Sequence, residues 1–177
     1  KAEEEKIKQC AQGMRILGPN CIGVYDAYSG VDTIFNIKYR QRRPAKGRIA
    51  FISQSGAFGA AVMDWAAVEG IGISKFVSLG NELDITEADL LGYLERDEHT
   101  NVIAMYIEGT KRGRDLFTAL KETSKKKPVI VLKAGKTKEG THAVASHTGS
   151  MAGEPLIYSG MIKQAGALEA HDIDELF

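Results

Sequence analysis

A histidine in a long loop of small residues is the side chain best suited to covalent chemistry. His147 lies between Ser146 and Thr148, and Gly149 follows it. A helix is predicted to begin at residue 153, within six residues of the histidine. An imidazole nitrogen placed just before a helix can attack a phosphoryl group, and the free N–H groups of that helix would stabilise the added charge. These residues predict that His147 is a nucleophile that carries a phosphoryl group.

A turn rich in serine and glycine could hold the phosphate. Ser53, Ser55 and Gly56 follow an apolar run at residues 48–52 and open directly into a predicted helix at 57–69. Small residues let the backbone approach an anion, and the first N–H groups of a helix have no partner within it. We therefore expect a phosphate-binding site at this turn.

A carboxylate stands at an equivalent place after another strand. Glu108 directly follows the apolar run at residues 102–107. A carboxylate that accepts a hydrogen bond from one ring nitrogen of a histidine fixes its tautomer and makes the other nitrogen a better nucleophile. We expect Glu108 to orient His147, although the end of a strand can also carry an ordinary surface carboxylate.

The remaining histidines and the glycine-containing runs give weaker indications of a catalytic or nucleotide-binding site. His142 lies in the same loop as His147 and stays ambiguous, whereas His99 falls in a polar turn and His171 at the start of a helix. The run at residues 135–137 resembles the end of a P-loop, but Ile130 stands where that motif needs its first glycine. No dinucleotide fingerprint is present, and no cluster has the spacing of metal ligands.

These residues need a scaffold that brings the ends of several strands together. From residue 47 onward, apolar strands alternate with helices, a pattern typical of a doubly wound parallel sheet in the α/β class. We favour a flavodoxin-like strand order over a Rossmann order. The predicted strands cover residues 48–52, 75–79, 102–107, 128–132 and 167–169, and the predicted helices cover 57–69, 86–95, 112–125, 153–164 and a segment from 172.

The first 46 residues do not follow this alternation. They contain a predicted helix at 1–12, a short strand at 15–17, a turn at 18–20 and a polar stretch that ends in the basic run at 39–44. We interpret residues 1–46 as the tail of a preceding domain plus a linker, and residues 47–177 as the main domain. An N-terminal extension of the main domain is the alternative.

Composition excludes several classes of function. The 177 residues carry 23 basic and 23 acidic side chains, so no overall field favours nucleic acid or a membrane surface. Apolar runs are too short for a transmembrane helix, and the charged start is not a signal peptide. Two cysteines are too few for a disulfide framework, which indicates a reducing, cytoplasmic setting.

Four motifs resemble one known family along nearly the whole chain. The chain is similar to the α-subunit part of the nucleoside-diphosphate-forming acyl-CoA synthetases, a family that includes ADP-forming acetyl-CoA synthetase and, more distantly, succinyl-CoA synthetase. The resemblance is carried by residues 18–23 (GPNCIG), 47–56 (GRIAFISQSG), 78–84 (SLGNELD) and 146–153 (SHTGSMAG).

The resemblance implies a reversible reaction in which acyl-CoA, ADP and phosphate give a carboxylic acid, CoA and ATP. Phosphate attacks the thioester, the acyl phosphate then phosphorylates a histidine, and the phosphohistidine delivers the group to ADP. The family's roles fall on matching residues of this sequence. The family's phosphohistidine matches His147, and the carboxylate that orients it matches Glu108. The family's phosphate site matches Ser53, Ser55, Gly56, Thr148 and Gly149. The residues near CoA match Asn20 and Cys21.

The resemblance also implies partners. ATP or ADP and Mg²⁺ would bind an ATP-grasp β subunit or domain, and the Gly-rich part of a CoA-binding Rossmann domain would precede Lys1. The fragment would then be incomplete alone and would act on a small carboxylic acid within an oligomer.

Two alternatives stay open. The first is the synthetase-like regulatory region of a protein lysine acetyltransferase; relatives of that kind can lose the histidine, and His147 is retained here. The second is a non-catalytic flavodoxin-like module similar to a response regulator. That module would carry an acidic pocket after the first strand, where this sequence has Ser53, Gln54 and Ser55.

Overall fold

Six strands form a single sheet in the computed structural model, which describes residues 2–135 and 155–177. The predicted site residues His147, Thr148 and Gly149, together with His142, lie outside the described residues. The strands are β1 (Val24–Asp26), β2 (Lys46–Ser53), β3 (Ile73–Ser78), β4 (Val102–Ile107), β5 (Val129–Lys133) and β6 (Leu168–Ala170).

Helices connect the strands and cover both faces of the sheet. Within the described ranges, no helix has the length and apolar character needed to cross a membrane. The helices are α1 (Ala2–Cys10), α2 (Gly56–Val68), α3 (Glu87–Leu94), α4 (Gly113–Ser124), α5 (Pro155–Gln164) and α6 (Ile173–Leu176).

The order of the strands across the sheet is β1-β3-β2-β4-β5-β6. The five strands from β2 to β6 are parallel to one another, and their order is the 2-1-3-4-5 order of flavodoxin-like folds. The predicted flavodoxin-like, doubly wound sheet is therefore confirmed. In such a sheet the order reverses between β2 and β4, and ligands bind beyond the carboxyl ends of the strands at that point.

The two faces of the sheet carry separate apolar clusters. Along β2, Ile52 packs into the cluster that includes residues of α3, α4 and α5, whereas Phe51 packs into the cluster that includes residues of α2 and α6. Both side chains are fully buried. Because neighbouring residues of a strand point to opposite faces, a strand covered on both sides must be a continuous apolar run, as predicted for this segment.

The N-terminal region differs from its prediction in two places. No strand was predicted between residues 21 and 46, but β1 lies there and pairs antiparallel with β3 at the edge of the sheet. The predicted strand at 15–17 is wrong. There the N–H of Ile16 donates to a carboxylate oxygen of Asp84, and its carbonyl accepts from Ile85, so a loop replaces a neighbouring strand.

Candidate active site

The candidate site lies at the carboxyl ends of β2, β3 and β4. Ser53, the last residue of β2, is level with Ser78 of β3 on one side and with Tyr106 of β4 on the other. The loops that leave these strands therefore meet at one edge of the sheet. This edge includes the point where the strand order reverses.

The turn after β2 is held by its own hydroxyl groups. Ser53 is fully buried, and its Oγ donates to the carbonyl oxygen of Ser55 at 2.7 Å. Ser55 caps α2, because its Oγ accepts from the N–H of Phe58 at 3.3 Å. Gly56 is the first residue of the helix, and a Cβ added to it would lie 2.8 Å from Ile22 Cγ2. Both serine hydroxyls thus shape the turn, and the first N–H groups of α2 have no acceptor within the helix.

The structure brings Glu108 close to this turn. Glu108 follows β4 directly and is half-buried, and its N–H donates to Oε1 of Gln54, the residue between the two serines. Burial, together with the charge of Glu108, raises the pKa of Tyr106 to about 12. The predicted phosphate turn and the predicted orienting carboxylate are therefore neighbours. Their relation to His147 lies outside the described residues.

Gln54 joins three loops through one amide group. Its Oε1 accepts from the N–H groups of Glu108 and Gly109, the latter at 3.1 Å. Its Nε2 lies 2.7 Å from the carbonyl oxygen of Gly109, 2.7 Å from Glu82 Oε1 and 2.6 Å from Glu87 Oε1. Sequence reasoning did not assign this residue a role, although it directly follows a buried strand, the same signal that singled out Glu108.

Two carboxyl groups face each other beside Gln54. Glu87, the first residue of α3, is only 2 % exposed, and Glu82 lies in the preceding loop with a left-handed backbone. Burial and the charge of Glu82 raise the pKa of Glu87 to about 8. Burial also raises the pKa of Glu82. The pair therefore shares one proton at neutral pH, because two adjacent buried carboxylates cannot both be ionised cheaply.

A cavity of about 320 Å³ opens beside this carboxyl pair. Lys111 lines this cavity and donates from Nζ to the carbonyl oxygen of Asn81 at 3.0 Å. The lining carries both signs of charge and comes from three segments: Glu4 and Lys8 of α1, the loop before α3, and the loop before α4. In the described part of the chain, no three His, Cys, Asp or Glu side chains gather where they could hold a metal ion.

The residues predicted to lie near CoA pack against the same edge. Asn20, which has a φ of 58°, donates from Nδ2 to Asn81 Oδ1 at 3.4 Å. Cys21 is half-buried, with its Sγ 3.9 Å from the carbonyl oxygen of Leu17. The turn that contains Asn20 and Cys21 thus contacts a loop that lines the cavity.

The two histidines that the structure describes lie outside the loops that follow β2, β3 and β4. The ring of His99, in the turn before β4, stacks on Tyr28 with centroids 3.8 Å apart. The exposed His171 precedes α6, and its N–H donates to Glu175.

Comparison with known proteins identifies the family. The model of the succinyl-CoA ligase like flavodoxin domain matches residues 46–177, which is most of the chain. The chain belongs to this family. The match begins at the first residue of β2 and includes all five parallel strands of the flavodoxin-like domain.

Relatives of this flavodoxin-like domain match almost the entire chain. The α subunit of acetate–CoA ligase (ADP-forming) II from Pyrococcus furiosus is 46% identical over 99% of the chain, and acetate–CoA ligase (ADP-forming) from Methanocaldococcus jannaschii is 46% identical over 98%. The chain spans 38% and 24% of these relatives, respectively.

A solved structure agrees with the fold. The dinucleotide forming acetyl-coenzyme A synthetase 1 of Ca. Korarchaeum cryptofilum, in complex with phosphate and ADP, superimposes with a TM-score of 0.90 and 43% identity. The match covers 98% of this chain and 37% of that protein.

Proposed function

We propose that this chain is the phosphohistidine-bearing part of a nucleoside-diphosphate-forming acyl-CoA synthetase of the acetate–CoA ligase type. The reaction interconverts acyl-CoA, ADP and phosphate with a carboxylic acid, CoA and ATP. The observation that carries the proposal is the junction at the carboxyl edge of the sheet, where Gln54 joins the turn after β2 to Glu108. The relatives named as ADP-forming acetate–CoA ligases support this assignment.

The reaction needs two transfers at this edge. In the first, a phosphate oxygen attacks the thioester carbon, a C–O bond forms, the C–S bond breaks, and CoA leaves as the thiolate. In the second, a ring nitrogen of His147 attacks phosphorus, an N–P bond forms, the P–O bond to the acyl group breaks, and the acid leaves as its carboxylate. Phosphoryl transfer depends mainly on positioning and on stabilising charge, which the chain's own donors supply.

The residues of the chain divide this work. The turn at residues 53–56 would hold phosphate through the N–H groups at the start of α2, with the hydroxyls of Ser53 and Ser55 keeping the turn in shape. Thr148 and Gly149 would bind the phosphoryl group beside His147. Glu108 would accept a hydrogen bond from the second ring nitrogen of His147 and fix its tautomer.

The CoA end of the site would lie at the N-terminal turn. Asn20 bonds to Asn81 in the loop that lines the 320 Å³ cavity, and Ile22, the residue after Cys21, lies against Gly56, so a thioester reaching this turn would also approach the phosphate site. We assign residues 1–46 to the tail of a CoA-binding domain plus a linker, and 47–177 to the ligase domain. The family match over residues 46–177 supports that boundary.

The proposal includes a partner. An ATP-grasp β subunit or domain would bind ATP or ADP with Mg²⁺ and exchange the phosphoryl group with His147, and the assembly would be an oligomer. Unpaired Cys10 and Cys21 are consistent with a cytoplasmic setting. The relatives give no support to the alternatives of an acetyltransferase regulatory region or a non-catalytic module, because they are named as CoA ligases.

Labelling of His147 tests the proposal. The chain, assembled with its ATP-grasp region, should gain phosphate from γ-labelled ATP and Mg²⁺, and the label should be stable in base and labile in acid. His147→Asn should abolish the label, whereas the matched variant His99→Asn, in a histidine before β4 at the opposite edge of the sheet, should keep it. Label that survives His147→Asn would overturn the proposal.

A further inference from the structure

The side-chain amide of Gln54 both accepts hydrogen bonds from and donates one to the backbone of Glu108 and Gly109. Its oxygen accepts from two successive N–H groups, those of Glu108 and Gly109, and its nitrogen donates to the carbonyl of Gly109. The two N–H groups fix which end of the amide is the oxygen, so the nitrogen must face the carboxyl pair. Glutamine supplies a donor and an acceptor at the correct spacing, which a hydrocarbon side chain of the same length cannot do.

The carboxyl pair holds the other end of this amide. Glu82 and Glu87 come from opposite ends of the segment that leads into α3, and each offers one oxygen to Gln54 Nε2 within 2.7 Å. The two hydrogens of Nε2 are thus shared among three acceptors. Because Glu87 is buried, these bonds are protected from competition with water, and breaking them leaves polar groups without partners.

We propose that Gln54 is a positioning residue that clamps the peptide group of Glu108 and Gly109 against the Glu82–Glu87 pair, and so fixes where the Glu108 carboxylate stands. The role in phosphoryl transfer rests on the proposed function; the clamp itself rests on the contacts of Gln54. This role accounts for the direction of the Gln54 side chain, which lies between Ser53 and Ser55 in sequence but contacts the loops that follow β3 and β4.

Several ionisable groups surround the clamp and bear on its response to pH. Lys111 is the cation whose charge acts on both carboxyl groups of the pair, and Tyr158 accepts from the N–H of Thr110 nearby. Among the described residues, the titratable groups that line the adjoining cavity or face the clamp are Glu4, Lys8, Glu82, Asp84, Glu87, Glu108, Lys111, Arg112 and Tyr158.

Hydrogen exchange tests the clamp without reference to activity. In the assembly with the ATP-grasp region, Gln54→Leu should speed exchange of the amides of Glu108 and Gly109 by at least about tenfold, because both lose their acceptor. Gln41→Leu is the matched control, since the side-chain amide of Gln41 also accepts one hydrogen bond and donates another, but its partners are Asn36 and Ala60. Exchange at Glu108 and Gly109 that is unchanged in Gln54→Leu would overturn the clamp.

A second variant separates positioning from simple stability. In Gln54→Glu, a protonated side chain keeps both an acceptor for the two amides and a donor for the carboxyl pair, whereas an ionised one loses the donor and adds a negative charge beside Glu82 and Glu87. Relative to the original protein, labelling of His147 should therefore recover by about tenfold as pH falls from about 8.5 to about 6. A ratio that stays flat over this range would overturn the positioning role.

The two readouts keep the proposals apart. If the original protein gains no label on His147, the proposed function fails, and the exchange rates at Glu108 and Gly109 still decide on the clamp. If Gln54→Leu does not fold by circular dichroism, the same exchange comparison uses Gln54→Met, whose thioether fills similar space but is only a weak acceptor, so both amides should exchange faster. Protected amides in that variant would contradict the clamp.

Discussion

The backbone N–H of Asn81 donates to the carbonyl oxygen of Pro19 at 2.8 Å. A second bond of the same length runs from the N–H of Leu83 to the carbonyl oxygen of Gly18. These bonds attach the N-terminal turn to the loop that follows β3 and lines the cavity. The approach is possible because residue 80, between β3 and Asn81, is a glycine with a φ of 62°.

Gly80→Ala should destabilise the protein markedly. A Cβ on residue 80 would lie 2.2 Å from the carbonyl oxygen of Pro19 and 2.7 Å from that of Asn20, and the positive φ adds strain for any other residue. We expect the free energy of unfolding to fall by about 2–4 kcal/mol, measured by urea denaturation.

Gly92→Ala is the matched control for that variant. Gly92 lies inside α3 with open space around the position of a Cβ, so alanine there should stabilise the protein by about 0.5–1 kcal/mol. If Gly80→Ala does not lower the free energy of unfolding relative to Gly92→Ala, the close approach of the two loops is contradicted.

The parallel sheet could be predicted because its signal is local. Phe51 and Ile52 are adjacent, apolar and fully buried on opposite faces of β2, and a short apolar run bounded by turn residues is typical of a strand covered on both sides. Each strand-end loop could then be assigned to one edge from topology alone. Glu108 and the turn after β2 were found in this way.

The rest could not be predicted because it depends on contacts between distant residues. Gln54 meets Glu82 and Glu87 across 28 and 33 residues, and nothing in the local pattern of any of them specifies that meeting. The strand β1 has only three residues, too few to show alternation. At Ile16, a carboxylate of Asp84 replaces a backbone partner, and an apolar run alone does not reveal such a replacement.

Lys75→Met should destabilise the protein through a buried ion pair at β3. Lys75 Nζ lies 3.1 Å from Asp97 Oδ1 and 3.5 Å from Asp26 Oδ2, and its side chain is 7% exposed. Removing the cation leaves two carboxylates with little access to water, which costs about 3–5 kcal/mol in the free energy of unfolding. Lys125→Met removes an exposed pair with Glu122 and should change stability by less than about 0.5 kcal/mol.

The effect of Lys75→Met should disappear in acid. Burial alone would raise the pKa of Asp97, but hydrogen bonds from Thr100 and Lys75 lower it overall. A carboxyl group with a lowered pKa stabilises the fold above its unfolded pKa, about 3.9, and loses that contribution as pH falls through the folded value. The stability difference between the two proteins should therefore shrink below about pH 4 in urea titrations, and a difference that persists there would argue against the ion pair.

Glu87→Gln should remove a pH dependence of stability. The raised pKa of Glu87, about 8, means that the folded protein holds a proton that the unfolded chain releases near pH 4.3. Stability from this group is complete below the unfolded value and is lost as pH rises through the folded one. The amide cannot ionise, so the variant should gain stability relative to the original protein as pH rises from about 5 to about 8, by at most about 1.4 kcal/mol per pH unit.

Urea denaturation at several pH values checks this prediction. Glu122→Gln is the control, because a hydrogen bond from Lys125 lowers the pKa of Glu122 and its titration lies below this range. Its stability difference from the original protein should stay constant with pH. A constant difference for Glu87→Gln as well would mean that the carboxyl pair does not hold the extra proton.

Glu108→Gln should slow phosphorylation of His147 without unfolding the domain. The amide keeps the shape of the side chain, and the bonds from Gln54 reach the backbone of residue 108, so the loop should stay in place. The lost negative charge removes the acceptor proposed to orient the imidazole and to support its positive charge as the N–P bond forms. Loss of such a supporting group typically lowers activity by about 10–100-fold, and we expect a decrease of that size in the phosphorylation rate. Initial rates of acid-labile labelling measure the effect, with Glu98→Gln, on the exposed turn after α3, as the unaffected control. An unchanged rate in Glu108→Gln would remove this carboxylate from the mechanism and leave orientation of His147 to other residues.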